Sequence, residues 1–133
     1  THYFTFTNDI ERVVQFNNVS YNYGNCFVTN SFRAPYKGIY LVVWSDFATL
    51  APTTQSYIWT KINVNGVSKF ILPNNIAKLN NAGKDIQMVI PMLYLNKNDV
   101  IYCSIAGSGG GTNSLTQYGS ENWFSVTLLQ RLE

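Results

Sequence analysis

The sequence predicts an all-β domain of eight to ten short strands, folded as a two-sheet sandwich or jelly roll. Three observations carry that prediction. No segment shows a 3.6-residue apolar period with helix caps at its ends. Turn-forming clusters recur every ten residues or so, and the segments between them are too short for ordinary helices. Aromatic residues make up 15% of the chain and charged residues only 12%, about half the usual quarter, a balance that suits pleated and heavily packed segments.

The elements follow in chain order. Residues 3–7 alternate aromatic side chains with threonine, and residues 27–32 read as a strand after the turn-like Asn22-Tyr23-Gly24-Asn25. Ala34-Pro35-Tyr36-Lys37-Gly38 is a second turn and leads into the strand 39–44. In residues 56–64, Ile58, Ile62 and Val64 fall on one face, with Trp59, Lys61 and Asn63 on the other. Val64-Asn65-Gly66-Val67 is a strong hairpin signal, because Asn-Gly accepts the positive φ values of a type I′ turn. Its second strand covers 68–72. Strands at 85–95, 100–105 and 123–132 complete the set, separated by the turn Asn96-Lys97-Asn98-Asp99 and the Gly-Ser-Gly-Gly-Gly stretch at 107–111. The 133 residues fit one domain, 1–133, and a chain of that length buries roughly two-thirds of its unfolded surface.

Two segments break the alternation expected of an antiparallel sandwich, in which one sheet face normally meets water. Residues 39–44 and 86–95 are apolar on both faces, with only Gln87 interrupting the second. A strand buried on both faces needs a second cover, and no helix is available to supply it. Another copy of the chain is the economical cover. Pro91 sits awkwardly in such a strand, since proline removes a ladder hydrogen bond and favours edges or bulges.

Several function classes are excluded on chemistry. Metal and triad enzymes use several His, Cys or clustered carboxylates, whereas His2 is the only imidazole here and the seven acidic residues are scattered. No phosphate-binding, dinucleotide-binding, zinc or EF-hand motif is present, and the glycine stretch lacks the Lys and helix of a phosphate cradle. A net charge of +2 without a basic stripe argues against a nucleic-acid partner. No apolar run is long enough for a membrane helix. A chain that starts at Thr1, without Met or a leader, reads as a processed or excised piece. Cys26 and Cys103 lie inside strands and read as buried thiols, the alternative being one disulfide closing a loop of about 77 residues, worth about 4 kcal/mol. Asn18-Val19-Ser20 is a glycosylation sequon that matters only in a secreted eukaryotic chain.

One set of residues resembles a known family. Val14-Gln15-Phe16-Asn17-Asn18-Val19, then Asn22, Gly24, Phe27, Phe32 and Ala34-Pro35, then Gly38-Ile39-Tyr40-Leu41-Val42-Val43-Trp44, are similar to the globular head of complement C1q, within the TNF-like jelly-roll superfamily. Phe16, Asn22 and Phe27 keep the family's spacing, as do Gly38, Tyr40 and Trp44. Trp123-Phe124-Ser125-Val126-Thr127-Leu128-Leu129 resembles its closing strand, with Val126-Thr127 in place of Gly-Phe. Four residues separate Phe27 from Phe32 where the family has six, and Val42 stands where it has Phe.

The resemblance implies a ten-stranded, two-sheet antiparallel jelly roll that assembles as a homotrimer, with the inner sheet at the central contact. Tyr40, Val42, Trp44, Met88, Ile90, Met92, Tyr94, Phe124, Val126 and Leu128 are then candidates for the sandwich core or the trimer interface, undivided between the two. Relatives recognise proteins, glycans or charged surfaces through apical loops, here 47–55, 73–84 and 106–122. The last carries no charge from 106 to 120, and its Gln117, Tyr118 and Asn122, with Trp123 behind, suit sugar or protein contact through stacking and adaptable amides. No catalytic or metal residue is assigned and no cofactor is expected, although some relatives hold calcium and Asp46, Asp85 and Asp99 are available. The expected protein is a non-catalytic, lectin-like trimeric head, secreted or displayed on a particle surface, binding a glycan or protein. A structural cap on a fibre or stalk is the alternative, and a jelly-roll enzyme comes third.

Overall fold

The computed structural model describes residues 3–7, 10–16, 22–49, 55–77, 83–108, 112–116 and 122–133. They form eleven strands and one short 3-10 turn, Tyr23–Asn25: β1 Tyr3–Thr7, β2 Arg12–Val13, β3 Phe27–Val28, β4 Ser31–Arg33, β5 Gly38–Thr49, β6 Gln55–Val64, β7 Val67–Ala77, β8 Gly83–Leu95, β9 Val100–Ser108, β10 Thr112–Thr116 and β11 Trp123–Arg131. Every strand pairing is antiparallel.

The first sheet is organised around β5. Along one edge β8 pairs with its whole length, from Gly38↔Leu95 to Thr49↔Gly83. Along the other edge β11 and β10 lie end to end, β11 opposite residues 38–45 and β10 opposite 48 and 49, with β1 outside β10. The second sheet runs β3-β4-β9-β6-β7, and β2 shares with β4 one edge of β9. The connections β1–β2, β4–β5, β5–β6, β7–β8, β8–β9 and β9–β10 cross between the sheets, in jelly-roll fashion.

The core lies between the sheets. From the first come Tyr40, Val42, Trp44 and Ala48 of β5 with Ile86, Met88, Ile90, Leu93 and Leu95 of β8. Ile58, Ile62 and Val64 of β6, Ile101, Cys103 and Ile105 of β9, and Phe32 and Val14 face them from the second. Each buried Val, Leu, Ile, Phe or Met side chain contributes about 1.5–3 kcal/mol. At one margin Phe16, Phe27 and Phe124 close the sandwich with mutual ring contacts at 5.6–6.4 Å. The Asn22 side chain pairs with the backbone of Phe27 in both directions at 2.9 Å, standing in for a strand neighbour.

The structure corrects several boundaries. Residues 27–32 are not one strand but the hairpin β3–β4, turned by Thr29 and Asn30 at positive φ (49° and 64°). The expected loop segments also contain strand: β5 runs to Thr49, β6 starts at Gln55, β7 runs on to Ala77, β8 starts at Gly83, and β10 lies inside 106–122. The hairpin at Asn65-Gly66 is present with φ of 52° and 79°. Cys26 and Cys103 are both free thiols. His2, the sequon at Asn18, Gln117 and Tyr118 lie outside the described residues.

The two segments read as apolar on both faces have different explanations. In β5 the alternation is regular, with Tyr40, Val42 and Trp44 buried and Ile39, Leu41 and Val43 half-buried outside. In β8 the phase changes at a bulge opposite Leu41, where Pro91 and Met92 stand against one residue. Ile86, Met88 and Ile90 point inward before the bulge, and Leu93 and Leu95 after it. The bulge accounts for Pro91, whose missing N–H costs no regular ladder bond there. It leaves Val89, Met92 and Tyr94 outside.

Candidate functional site

The outer face of the β5 sheet is built from cross-strand rows. From β11 through β5 to β8 they read Trp123, Ser45, Gln87, then Ser125, Val43, Val89, then Thr127, Leu41 and the bulge at Met92, then Gln130, Ile39, Tyr94. No residue in these rows carries a charge. Met92 is 72% exposed and Val89 60%, with Tyr94 and Trp123 near half. A solvent face of a sandwich sheet is ordinarily polar, so the apolar run Val43, Leu41 and Ile39 of β5 beside Val89, Met92 and Tyr94 of β8 is the feature that a recognition or assembly surface would show.

This geometry divides the residues that sequence reasoning left together. Tyr40, Val42, Trp44, Met88 and Ile90 are in the sandwich core, and Phe124 and Val126 pack against it half-buried. Met92 and Tyr94 lie on the outer face. Leu128 pairs with Tyr40 on the inward side, but near the open end of the sandwich, and stays 37% exposed. The Tyr40 hydroxyl donates to the Tyr36 carbonyl at 2.7 Å, and burial raises its pKa.

The strand ends Thr49, Gln55, Ala77, Gly83 and Ser108 lie at the same end of the sandwich, since Thr49 is paired with Gly83, Gln55 with Ala77 and Tyr57 with Ser108. Asn122 is half-buried at the entry to β11, and Trp123 lies beside Ser45, at the upper margin of the apolar rows. At the opposite end Lys37 pairs with Glu133 at 2.9 Å, which raises the lysine pKa with help from Tyr94, and the Arg131 guanidinium sits 4.1 Å over the Tyr36 ring.

The carboxylates available for calcium are not brought together. Asp46 faces the core, accepting from the Phe47 N–H at 2.8 Å and the Trp44 indole at 3.4 Å. Asp85 is exposed opposite Phe47 on the other face of the sheet, and Asp99 lies at the far end of the molecule in the turn before β9. Among the described residues no three His, Cys, Asp or Glu side chains form a metal-sized cluster. The Cys103 thiol is pushed well up, first by burial and then by the charge of Asp46, so it stays protonated near neutral pH.

Sequence reasoning missed one polar cluster on the outer face of the second sheet. The Ser104 hydroxyl donates to Glu11 at 2.6 Å and accepts from the Asn63 amide at 2.8 Å, while Lys61 pairs with Glu11 at 2.9 Å. Ser68 donates to Asn63 at 2.9 Å. The Ser104 hydrogen bond, followed by Lys61, lowers the Glu11 pKa. Ser104 and Asn63 are buried, so the cluster satisfies polar groups rather than offering them to a ligand. Its members lie up to 93 positions apart, and no local pattern announces it.

Two antiparallel sheets in this order define a jelly roll of the C1q and TNF kind. Solved structures agree. The globular domain of zebrafish complement 1qA superposes with a TM-score of 0.57 at 14% identity, covering 98% of this chain and 99% of that one. Eiger TNF from S. frugiperda gives 0.62 at 13% identity, covering 98% and 87%. No curated protein sequence matches the chain. The C1q domain family matches over residues 2–129, and the chain belongs to that family. Its members are generally non-enzymatic, trimeric ligand-binding heads and are typically extracellular. No helix among the described residues is long and apolar enough to cross a membrane.

Proposed function

We propose that the domain, residues 1–133, is a non-catalytic homotrimeric recognition head, working outside the cell or on a particle surface and binding a glycan or protein ligand through the loops at one end. The observation that carries this reading is the set of uncharged rows across residues 39–45 on the outer face of the β5 sheet. Val89, Met92 and Tyr94 on the edge strand β8, with Trp123 on β11, expose apolar area that nothing among the described residues covers. A ring of three copies covers each such face with a different surface of the next copy, because a closed cyclic trimer uses heterologous contacts. Met92 and Tyr94 lie in that contact. Three loop ends carried on one assembly then act together, and three weak sites gain avidity without new contacts. Gln117, Tyr118, Asn122 and Trp123 are the proposed ligand-contacting residues.

Light scattering after size exclusion tests the assembly. The expected mass is three times the 15.0 kDa of one chain. A stable monomer at micromolar concentration overturns it. A glycan and protein array on the trimer tests recognition, and binding no higher than background across it favours the structural-cap reading instead.

A further inference from the structure

The outer face of the second sheet lies across the core from Val89, Met92 and Tyr94, on the opposite side of the sandwich. Ile58, Thr60 and Ile62 of β6 and Ile101, Cys103 and Ile105 of β9 point inward. Alternation therefore places Trp59, Lys61 and Asn63 on the outer face, with Tyr102, Ser104 and Ala106 beside them. The register sets Trp59 against Ala106, Lys61 against Ser104 and Asn63 against Tyr102. Trp59 and Tyr102 are half-buried. Ala106 is too short to overlie an indole, so the β9 side leaves the Trp59 ring uncovered.

Lys61 follows Trp59 on the same face at about 7 Å, two residues along the strand. Its ammonium meets Glu11 Oε2 at 2.9 Å, and Glu11 Oε1 accepts from the Ser104 hydroxyl at 2.6 Å. Ser104 is fixed in turn by the Asn63 amide at 2.8 Å, and Asn63 by Ser68 at 2.9 Å. Ser104 and Asn63 are closed in beneath the pair. The pair itself reaches solvent, with the Glu11 side chain 43% exposed and that of Lys61 20%. The ammonium spends one of its three N–H groups on Glu11, and the carboxylate uses two of about four lone-pair sites. Donors and acceptors are thus left side by side next to an aromatic ring. The network that holds them exists before any ligand arrives, so little ordering free energy is lost on binding.

This combination selects a ligand by charge as well as by shape. An anion meets the Glu11 carboxylate and a cation meets the Lys61 ammonium, so the pair favours neither. A hydroxyl both donates and accepts, and two hydroxyls on adjacent carbons span an ammonium and a carboxylate together. A pyranose ring carries such diols on its rim and C–H groups on one face, and an aromatic ring packs against that face.

We propose that the Trp59 ring and the Lys61–Glu11 pair bind an uncharged pyranoside, its apolar face on Trp59 and adjacent hydroxyls on the pair. The site is separate from the loop end and independent of the assembly reading. The test is an NMR titration of the isotope-labelled chain with the methyl glycosides of galactose, glucose and mannose, each in turn, and with cyclohexanol. Wild type, Trp59→Ala and Lys61→Met are compared, and their melting curves report whether each is folded. At least one glycoside is expected to move the Trp59 indole N–H and the amides of Lys61, Ser104 and Ala106. Its affinity is expected to fall about tenfold in Trp59→Ala and about fivefold in Lys61→Met. Where Trp59→Ala fails to fold, Lys61→Met decides. Cyclohexanol bound as tightly as the glycoside, or an affinity indifferent to Lys61→Met, overturns the diol assignment. Shifts confined to the loop end around Asn122 and Trp123 overturn this site and leave the loop reading standing. No shift with any of the three glycosides at tens of millimolar also overturns it. Loss of trimer mass on adding the glycoside places this face in the contact and overturns a separate site.

Discussion

Replacing Gly38 with alanine should destabilise the domain, although the usual expectation has the opposite sign. A glycine in an extended strand with room beside it gains about 0.4–1 kcal/mol on conversion to alanine, because the unfolded chain becomes less free. At Gly38 there is no room. A β-carbon built there falls 2.5 Å from the Gln130 carbonyl oxygen and 2.8 Å from a methyl of Leu128. Ordinary carbon–oxygen contacts sit near 3.3 Å, so β5 and β11 must part by about 0.8 Å. That stretches ladder hydrogen bonds of about 2.9 Å beyond useful length. Losing two of them at about 1 kcal/mol each gives a cost of about 2 kcal/mol, inside the usual range for overpacking. For a domain of this size the melting temperature should fall by about 7 °C. Calorimetry at one fixed protein concentration for both proteins measures it, because the melt of any self-associating chain depends on concentration. Gly66→Ala is the companion, with nothing within 4 Å and a φ of +79°, so its cost of about 1 kcal/mol is purely conformational. A Gly38→Ala protein that melts at or above the wild-type temperature would refute the close approach of β11 to β5.

Other outcomes follow from the same structure. Met92→Lys, on the outer face, should leave the circular dichroism spectrum intact and reduce the light-scattering mass to one chain; an undiminished trimer removes Met92 from the contact. Tyr40→Asp puts a carboxylate into a fully buried site and should cost more than about 4 kcal/mol, so a soluble folded product with a native melt contradicts the inward placement. One thiol per chain, Cys26, should react with a disulfide reagent in the native state, and Cys103 only after unfolding; two fast thiols would contradict the burial that pushes Cys103 up. Glu11 has a folded pKa below its ordinary 4.5, so its contribution is present above that pH and is lost as pH falls through the folded value. Glu11→Gln should therefore destabilise at pH 7, with the difference from wild type shrinking below pH 4.5, and a difference independent of pH argues against the Ser104 and Lys61 contacts.

The parts of this fold legible in the sequence are those in which one local signal decides. Asn65-Gly66 announces its turn because both residues tolerate positive φ. Residues 38–44 announce a buried strand by their apolar density, and the family resemblance through Gly38, Tyr40 and Trp44 points to the same sheet. The hairpin at Thr29-Asn30 was hidden, because threonine rarely adopts positive φ and no glycine marks the turn. Residues 86–95 read as two-sided partly because a bulge switches the inward phase, and nothing before the pairing is known tells a bulge from a doubly buried strand. Asp46 and Thr60 break the apolar pattern yet lie fully inside, since tertiary neighbours decide the burial of a polar residue. The exposed apolar face was legible in composition, because residues 39–44 and 86–95 carry apolar side chains in both alternations.

The pairing along the inner edge of β5 has a consequence for how this head can change. Leu115 stands opposite Ala48 and Trp123 opposite Ser45, so the chain advances eight positions while its partner retreats three. The surplus is spent between two stretches that are each registered independently against the same strand. Residues can be added to or removed from that interval without shifting a single pair on either side, because neither β10 nor β11 relies on the other for its alignment. Length and composition there can change while each stretch keeps its own pairing with β5.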